Sequence, residues 1–323
     1  MDTKPIYTYE MIQAMELPPI ILFAIPAMLA LVLLEWYLSY RENKEAYEGK
    51  DFWACVVVGV GVIASSALVK VLTFAVILYF YNIVPWYIGQ SWWGWILCFI
   101  TVDFFRYWAH RVSHEQRIWW ATHVPHHSSQ SYNFSVTFRL SWTQHVKIIF
   151  FIPIALMGFD PFMFFICNQI AVLYQFWLHT ELINRVHPII EYIFVTPSHH
   201  RVHHGVNEKY LDRNYGSAMI IWDRIFGTFQ GEEETPTYGI TVPVDSYNPV
   251  YIIFHEFSAW CQDIVRVRSL KEAWKVTFGS PGDAKDWRDE YEAKHGKIQP
   301  TAIERGWAKG VQSFKAWRKQ KAA

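Results

Sequence analysis

Charge is what this 323-residue chain has least of. Charged residues make up 18% of it and hydrophobic ones 52%, where soluble domains carry about 25% charged residues. The shortage is local. Long stretches are almost uncharged, whereas the chain from Asp263 onward is rich in charge. This excludes an ordinary soluble domain and points to a membrane protein with a polar tail. Neither sign predominates: 29 basic residues face 29 acidic ones, so no overall field favours nucleic acid, and no such partner is expected. Cysteine is scarce too. Cys55, Cys98, Cys167 and Cys261 form no CxxC pair, which excludes a disulfide framework and a zinc ribbon. A cleavable signal peptide is not expected, because Asp2, Lys4, Glu10 and Glu16 precede the first apolar run.

Long apolar runs are what the chain does have. A span needs roughly 20 residues, and four regions qualify. Residues 20–40 form the first, interrupted by Pro26 and Glu35. Residues 52–85 form the second, broken only by Lys70, and they read as one long tilted helix or two short ones. Residues 92–108 form the third, and Trp92, Trp93 and Trp95 suit an interfacial belt. Residues 146–178 form the fourth, with Gly158-Phe159-Asp160-Pro161 as a turn in the middle, so this region reads as a hairpin that leaves one face and returns to it. The fold expected is all-α, a helical membrane bundle. Three units are expected: N-terminal spans over 1–91, a catalytic unit with the hairpin over 92–232, and a charged tail over 233–323. The stretch Asn214-Tyr215-Gly216 and the run from Ile220 to Gly227 read together as a cap against the site.

Histidine is the residue in excess. Of 14 histidines, 12 fall between positions 110 and 204, mostly in three groups: His110 with His114, His123 with His126 and His127, and His199 and His200 with His203 and His204. Residues at i, i+3 and i+4 share a helix face, so each group can aim two or three imidazoles at one point. Imidazole is a common ligand for iron, copper and zinc. A zinc site takes three or four protein ligands. Eight imidazoles, with His179 as a ninth and His199 as a weaker candidate, suit two metal ions. His145 and His187 stand alone and read equally well as packing residues. The hairpin puts all the groups on one membrane face. The loops on that face carry Arg111, Arg117, Arg139, Arg185 and Arg201. The opposite loop, residues 84–91, and the Gly158 turn carry no Lys or Arg. By the positive-inside rule the histidine face is cytoplasmic.

The spacing HxxxH, HxxHH, HxxHH, here His110 to His114, His123 to His127 and His200 to His204, resembles the fatty acid hydroxylase and sterol desaturase superfamily. The run from Trp222 to Thr228 is similar to that superfamily as well. More narrowly, the stretches around His114-Glu115, His126-His127-Ser128-Ser129, His179-Thr180-Glu181, 196–205 and 238–241 resemble the alkylglycerol monooxygenases. The likeness covers 103–282 and departs after it, where those enzymes continue into further spans.

The resemblance implies a di-iron cap that uses O2 to hydroxylate a lipid. For an ether lipid the attacked carbon is next to the ether oxygen, and the product breaks down to a fatty aldehyde. It implies an external reductant, tetrahydrobiopterin or a cytochrome b5-type donor protein. The ligands implied are His110, His114, His123, His126, His127, His179, His199, His200, His203 and His204. Glu115 is implied in catalysis, as a ligand or as the partner that orients a histidine; Asp223 and Asn214 are candidates for the same orienting role. The membrane is the endoplasmic reticulum in a eukaryote or the inner membrane in a bacterium. Two other readings stay open: a sterol or fatty acyl desaturase or hydroxylase with the same centre, and a non-catalytic membrane metal-binding protein.

Overall fold

The computed structural model describes residues 4–8, 11, 18, 20–42, 44 and 46–299. Asp2, Glu10 and Glu16, on which the signal-peptide reading rests, lie outside the described residues, as does the tail from position 300. Among the described residues the chain is all-helical, with isolated bridges in place of strands.

The apolar runs become long helices. Helix α1 spans Ile20–Arg41 and α2 spans Gly49–Asn82. The second region is therefore one helix of 34 residues, about 50 Å long at 1.5 Å per residue, longer than a bilayer core of about 30 Å. Glu48 caps it, accepting from the amides of Lys50 and Asp51. Helix α3, Trp92–Glu115, begins at the Ser91 cap and runs seven residues past the expected span, so that it carries both His110 and His114. Two short helices follow, α4 at Arg117–Trp120 and α5 at Val124–His127. The hairpin has a broken first leg, a 3-10 segment Gln144–Phe151 running into α6 at Ile152–Leu156. Its second leg is α7 at Pro161–Tyr174, extended by a 3-10 turn to Leu178.

Three helical stretches are long and apolar enough to cross a membrane: α1, α2 and Pro161–Leu178. Helix α3 has the length but is not among them; it carries Asp103, Arg106, Arg111 and Glu115. The first two spans are only 11% buried. Leu22, Phe23, Leu33, Val60, Leu68 and Leu72 point outward, as side chains do when the surrounding solvent is lipid.

The ends of the bundle differ in chemistry. At one end the loop after α2 meets the hairpin turn: the Ile88 amide donates to Gly158 O at 2.7 Å and the Trp86 indole to Leu156 O at 2.7 Å. Gly158 has φ +81°, and a Cβ there would lie 2.8 Å from the Trp86 carbonyl oxygen, so the turn requires glycine. The two loops free of Lys and Arg therefore sit together. Between the ends α2, α3, α6 and α7 share one core, with Phe74 stacked on Phe165 at 3.9 Å.

The other end carries the histidines. Glu35, an apparent flaw in the first apolar run, is buried there. Its carboxylate accepts from the Phe134 amide at 2.8 Å, from Tyr47 Oη at 2.5 Å and from Thr180 Oγ1. It thus ties α1 to the residue beside His179. Asp51, on α2, pairs with Arg139 at 2.7 Å, and Arg139 donates to Pro125 O at 3.0 Å, fixing α5.

Helices α8 at Pro188–Ile193, α9 at Pro197–His204 and α10 at Ile221–Phe226 complete this end. The stretch read as a charged tail holds three more, α11 at Pro249–Ile264, α12 at Leu270–Phe278 and α13 at Pro281–His295. Ile252 and Ile253 of α11 pack on Ala54 and Val58 of α2.

Candidate metal centre

Four elements bring histidines together. Helix α3 supplies His110 and His114, one turn apart. The α5 turn and its N-terminal residue supply His123, His126 and His127. The end of the hairpin supplies His179, and α9 supplies His200, His203 and His204.

The imidazoles form two groups, each with its nitrogens within 4.8 Å of one another. The first holds His110, His114, His123, His127 and His203; the second holds His126, His179, His200 and His204. The expectation that each HxxHH aims three rings at one point is not met. The i,i+4 pair of each motif serves one group and the remaining histidine serves the other. The reason is helix geometry: adjacent residues are about 100° apart around the axis. His126 and His127 therefore diverge, as do His203 and His204, and each pair straddles the groups. His127 and His204 stack across the boundary at 4.4 Å.

The nitrogen spacings match those around a shared ion. His110 Nε2 lies 2.9 Å from His123 Nε2, and His127 Nε2 is 3.1 Å from the same atom. In the second group His179 Nε2 lies 3.1 Å from His126 Nε2 and 2.9 Å from His200 Nε2. Two ligands at right angles on bonds of about 2.1 Å would be about 3.0 Å apart. Three further buried ring nitrogens, His114 Nε2, His203 Nε2 and His204 Nε2, have no hydrogen-bond partner among the described residues. Buried polar atoms are otherwise almost always paired, so this donor set fits two metal ions. Burial also holds the rings neutral, as ligands must be. It pushes His123, His126, His127, His200, His203 and His204 well below the ordinary imidazole value, and His179 down to about 4.

Main-chain carbonyls orient the rings. Nδ1 of His110 faces Tyr215 O at 2.8 Å, that of His203 faces Arg213 O at 2.9 Å, and that of His179 faces Gln175 O at 3.0 Å. A proton on Nδ1 satisfies the carbonyl and leaves the Nε2 lone pair for a metal. The Tyr215 carbonyl is itself held. Asp223 accepts from the Tyr215 and Gly216 amides, both at 2.7 Å, and from Thr228 Oγ1 at 2.7 Å. Asp103 grips the same loop further along, accepting from the Ala218 and Met219 amides and the Trp222 indole. Asn214 donates to His199 O at 3.1 Å. Asp223 and Asn214 thus act through the backbone, one bond further from the rings than the sequence reading had them.

Two candidates lie outside both groups. Glu115 is at the rim, half-exposed and paired with Arg111 at 2.7 Å, within electrostatic reach of His114. His199 turns away to cap its own helix, its Nδ1 accepting from the Thr196 amide at 3.3 Å. Sequence reasoning missed the carbonyls, which no side-chain pattern announces. It also missed Arg201, whose guanidinium makes two bonds of 2.7 Å to Glu232 and reaches Thr180 O at 3.0 Å. An arginine lying between two candidate ligand histidines, His200 and His203, was the available signal. Arg201→Ala would leave the Glu232 carboxylate without its partner, at a cost of about 3–5 kcal/mol. Thermal unfolding should show a lowered midpoint and isolated protein a reduced metal content.

Residues 95–228, which hold every histidine of both groups, match the family model described as fatty acid hydroxylase. That segment is similar to the fatty acid hydroxylase family. The resemblance read from the histidine motifs is borne out. Alkylglycerol monooxygenase of Homo sapiens is 39% identical over 253 residues, covering 76% of this chain and 56% of the relative. That of Xenopus tropicalis is 43% identical over 199 residues, covering 61% and 41%. An ornithine lipid hydroxylase of Rhizobium tropici is 30% identical over 143 residues, covering 42% and 41%. The chain spans about half the length of these relatives. No solved structure matches. In this segment the histidine-bearing elements and the loop that orients them are contiguous in sequence, from α3 to Thr228.

Proposed function

We propose that the chain is an O2-dependent di-iron monooxygenase of membrane lipids, and that its substrate is an alkylglycerol. The single observation that carries this reading is the pair of imidazole groups at the mouth of a membrane bundle. The relatives, named for alkylglycerol and ornithine-lipid oxidation, support the substrate class.

The five imidazoles of the first group exceed what four-coordinate zinc accepts and would suit iron. Iron held by the two groups would supply the oxidising power for a reaction in which O2, two external electrons and two protons yield one oxygen atom inserted into a lipid C–H bond and one molecule of water. The chain's own residues do the rest. Neutral imidazoles hold the ions, and the Tyr215, Arg213 and Gln175 carbonyls orient the rings. Burial of His126, His179, His200 and His204 keeps bulk water from the second group, which protects the oxidant from side reactions. Glu115, anchored by Arg111, orients or supplies protons at the rim beside His114. The site faces the cytoplasm, where tetrahydrobiopterin or a cytochrome b5-type protein delivers electrons, and the bilayer delivers the acyl chain. The membrane is the endoplasmic reticulum or a bacterial inner membrane.

Membranes containing the protein, given alkylglycerol, O2 and tetrahydrobiopterin, should release fatty aldehyde. Oxidation of a sterol or acyl lipid without aldehyde would replace the ether-lipid reading with the desaturase or hydroxylase one. No turnover of any lipid by protein carrying its metals would leave a metal-binding protein.

A further inference from the structure

Helix α12 shows an apolar stripe that nothing in the described chain covers. Leu270, Trp274 and Phe278 recur at i, i+4 and i+8, and they are 91%, 67% and 39% exposed. The Trp274 and Phe278 rings lie together at 4.7 Å. Lys271 and Lys275 are exposed beside the stripe, and Val276 is buried on the opposite side. Side chains this large are not left in water in a row without a use.

The position of α12 says what covers it. Arg117 is the second residue past α3, and its amide donates to Gly279 O at 2.9 Å, just beyond the end of α12. Its guanidinium bonds Glu256 at 2.6 Å and Asp263 at 2.7 Å, and Arg288 binds Asp263 at 2.7 Å. The Trp260 indole donates to Thr277 at 3.1 Å. Helix α12 is thereby fixed where α3 leaves the bundle. Trp119 of α4, the helix that α12 packs on, contacts Phe150 of the membrane hairpin at 4.9 Å. Helix α12 is thus tethered, through α4, to the membrane hairpin.

We propose that α12 lies in the headgroup layer of the membrane, with Leu270, Trp274 and Phe278 inserted among acyl chains and Lys271 and Lys275 on anionic headgroups. An amphipathic helix of this kind buries its apolar face about 5–10 Å below the surface. Its lysines extend their stems over apolar surface and keep their charge among the phosphates. This inference rests on the spanning helices and not on the metal chemistry, so it stands or falls separately from the proposed activity.

The test uses full-length protein in nanodiscs of phosphatidylcholine with phosphatidylglycerol. An environment-sensitive fluorophore is placed on Leu270→Cys in a Cys261→Ser background, with Lys285→Cys on α13 as the water-facing control. Emission at position 270 should shift to the blue. Lipid carrying a shallow doxyl quencher should quench it at least roughly twofold more than at 285. Lys271→Glu with Lys275→Glu should weaken that quenching in anionic discs and leave it unchanged in neutral ones. Equal access of aqueous iodide to both positions overturns the proposal, as does a charge-reversed variant that quenches like the parent in anionic discs. Protection that grows with protein concentration would assign the stripe to a second copy of the chain. Protection lost on truncation after Gln299 would assign it to the chain's own C-terminal residues. Either result also overturns it.

Discussion

His200→Ala is expected to reduce lipid oxidation by on the order of 10³-fold, more than the 10–100-fold that follows loss of a residue orienting a ligand. His200 sits 2.9 Å from His179, nitrogen to nitrogen, in the group of four. Its removal leaves three imidazoles there, and the group of five intact. The variant should therefore keep one metal ion and lose the other. The helical bundle should persist, because His200 makes no bond to α1, α2 or α3 through its side chain among the described residues. His295→Ala, far from both groups, should match the parent in activity and metal content. A variant that binds two ions and is inactive would show that His200 serves the reaction without holding metal.

Acid should dismantle the same centre over a narrow range. Burial lowers the imidazoles of His123, His126, His127, His200, His203 and His204 far below the usual value, and His179 and His199 to about 4. In the unfolded chain they titrate near 6.5. The stability these groups contribute is fully present above about pH 6.5 and is lost as pH falls from there toward the folded values. Below that point the unfolded chain binds protons that the folded one refuses, and each ring costs about 1.4 kcal/mol per pH unit. Because so many of these rings are depressed together, the loss on acidification should be steep. Metal release moves the same way, since protons compete for the ligand nitrogens. Thermal unfolding in detergent should show a midpoint that is flat above pH 7 and falls steeply between pH 6.5 and 5, with metal released over the same interval. A midpoint unchanged down to pH 5 would contradict the neutral, buried cluster.

The long helices were legible because a bilayer demands apolar runs whatever else the sequence does. Residues 52–85 announced α2, and Gly158 announced the hairpin turn through a φ that other residues resist. What composition could not convey was the depth at which each run ends. Helix α3 continues through Arg106 and His110 because those side chains find partners inside the bundle. Arg106 donates to Ser217, Asn168 and Gln175. Glu35 reads as a flaw in a span until its three hydrogen bonds are seen. The histidine motifs gave away the centre, since nine of the ten candidate ligands join the two groups. They did not give its partition. Helical period alone does not say on which side of a short turn a second ion sits, and the orienting atoms belong to the main chain of a loop held by Asp103 and Asp223. The apolar stripe of α12 was hidden for another reason: amid so many charges its three apolar side chains do not stand out.

Two ions are expected side by side in one shell of nine imidazoles. Iron in protein purified from iron-replete cells, measured by elemental analysis against chain concentration, tests it most directly. Two iron atoms per chain, falling to one in His200→Ala, is the result expected. One metal atom per chain in the parent, lost entirely in His200→Ala, would contradict it.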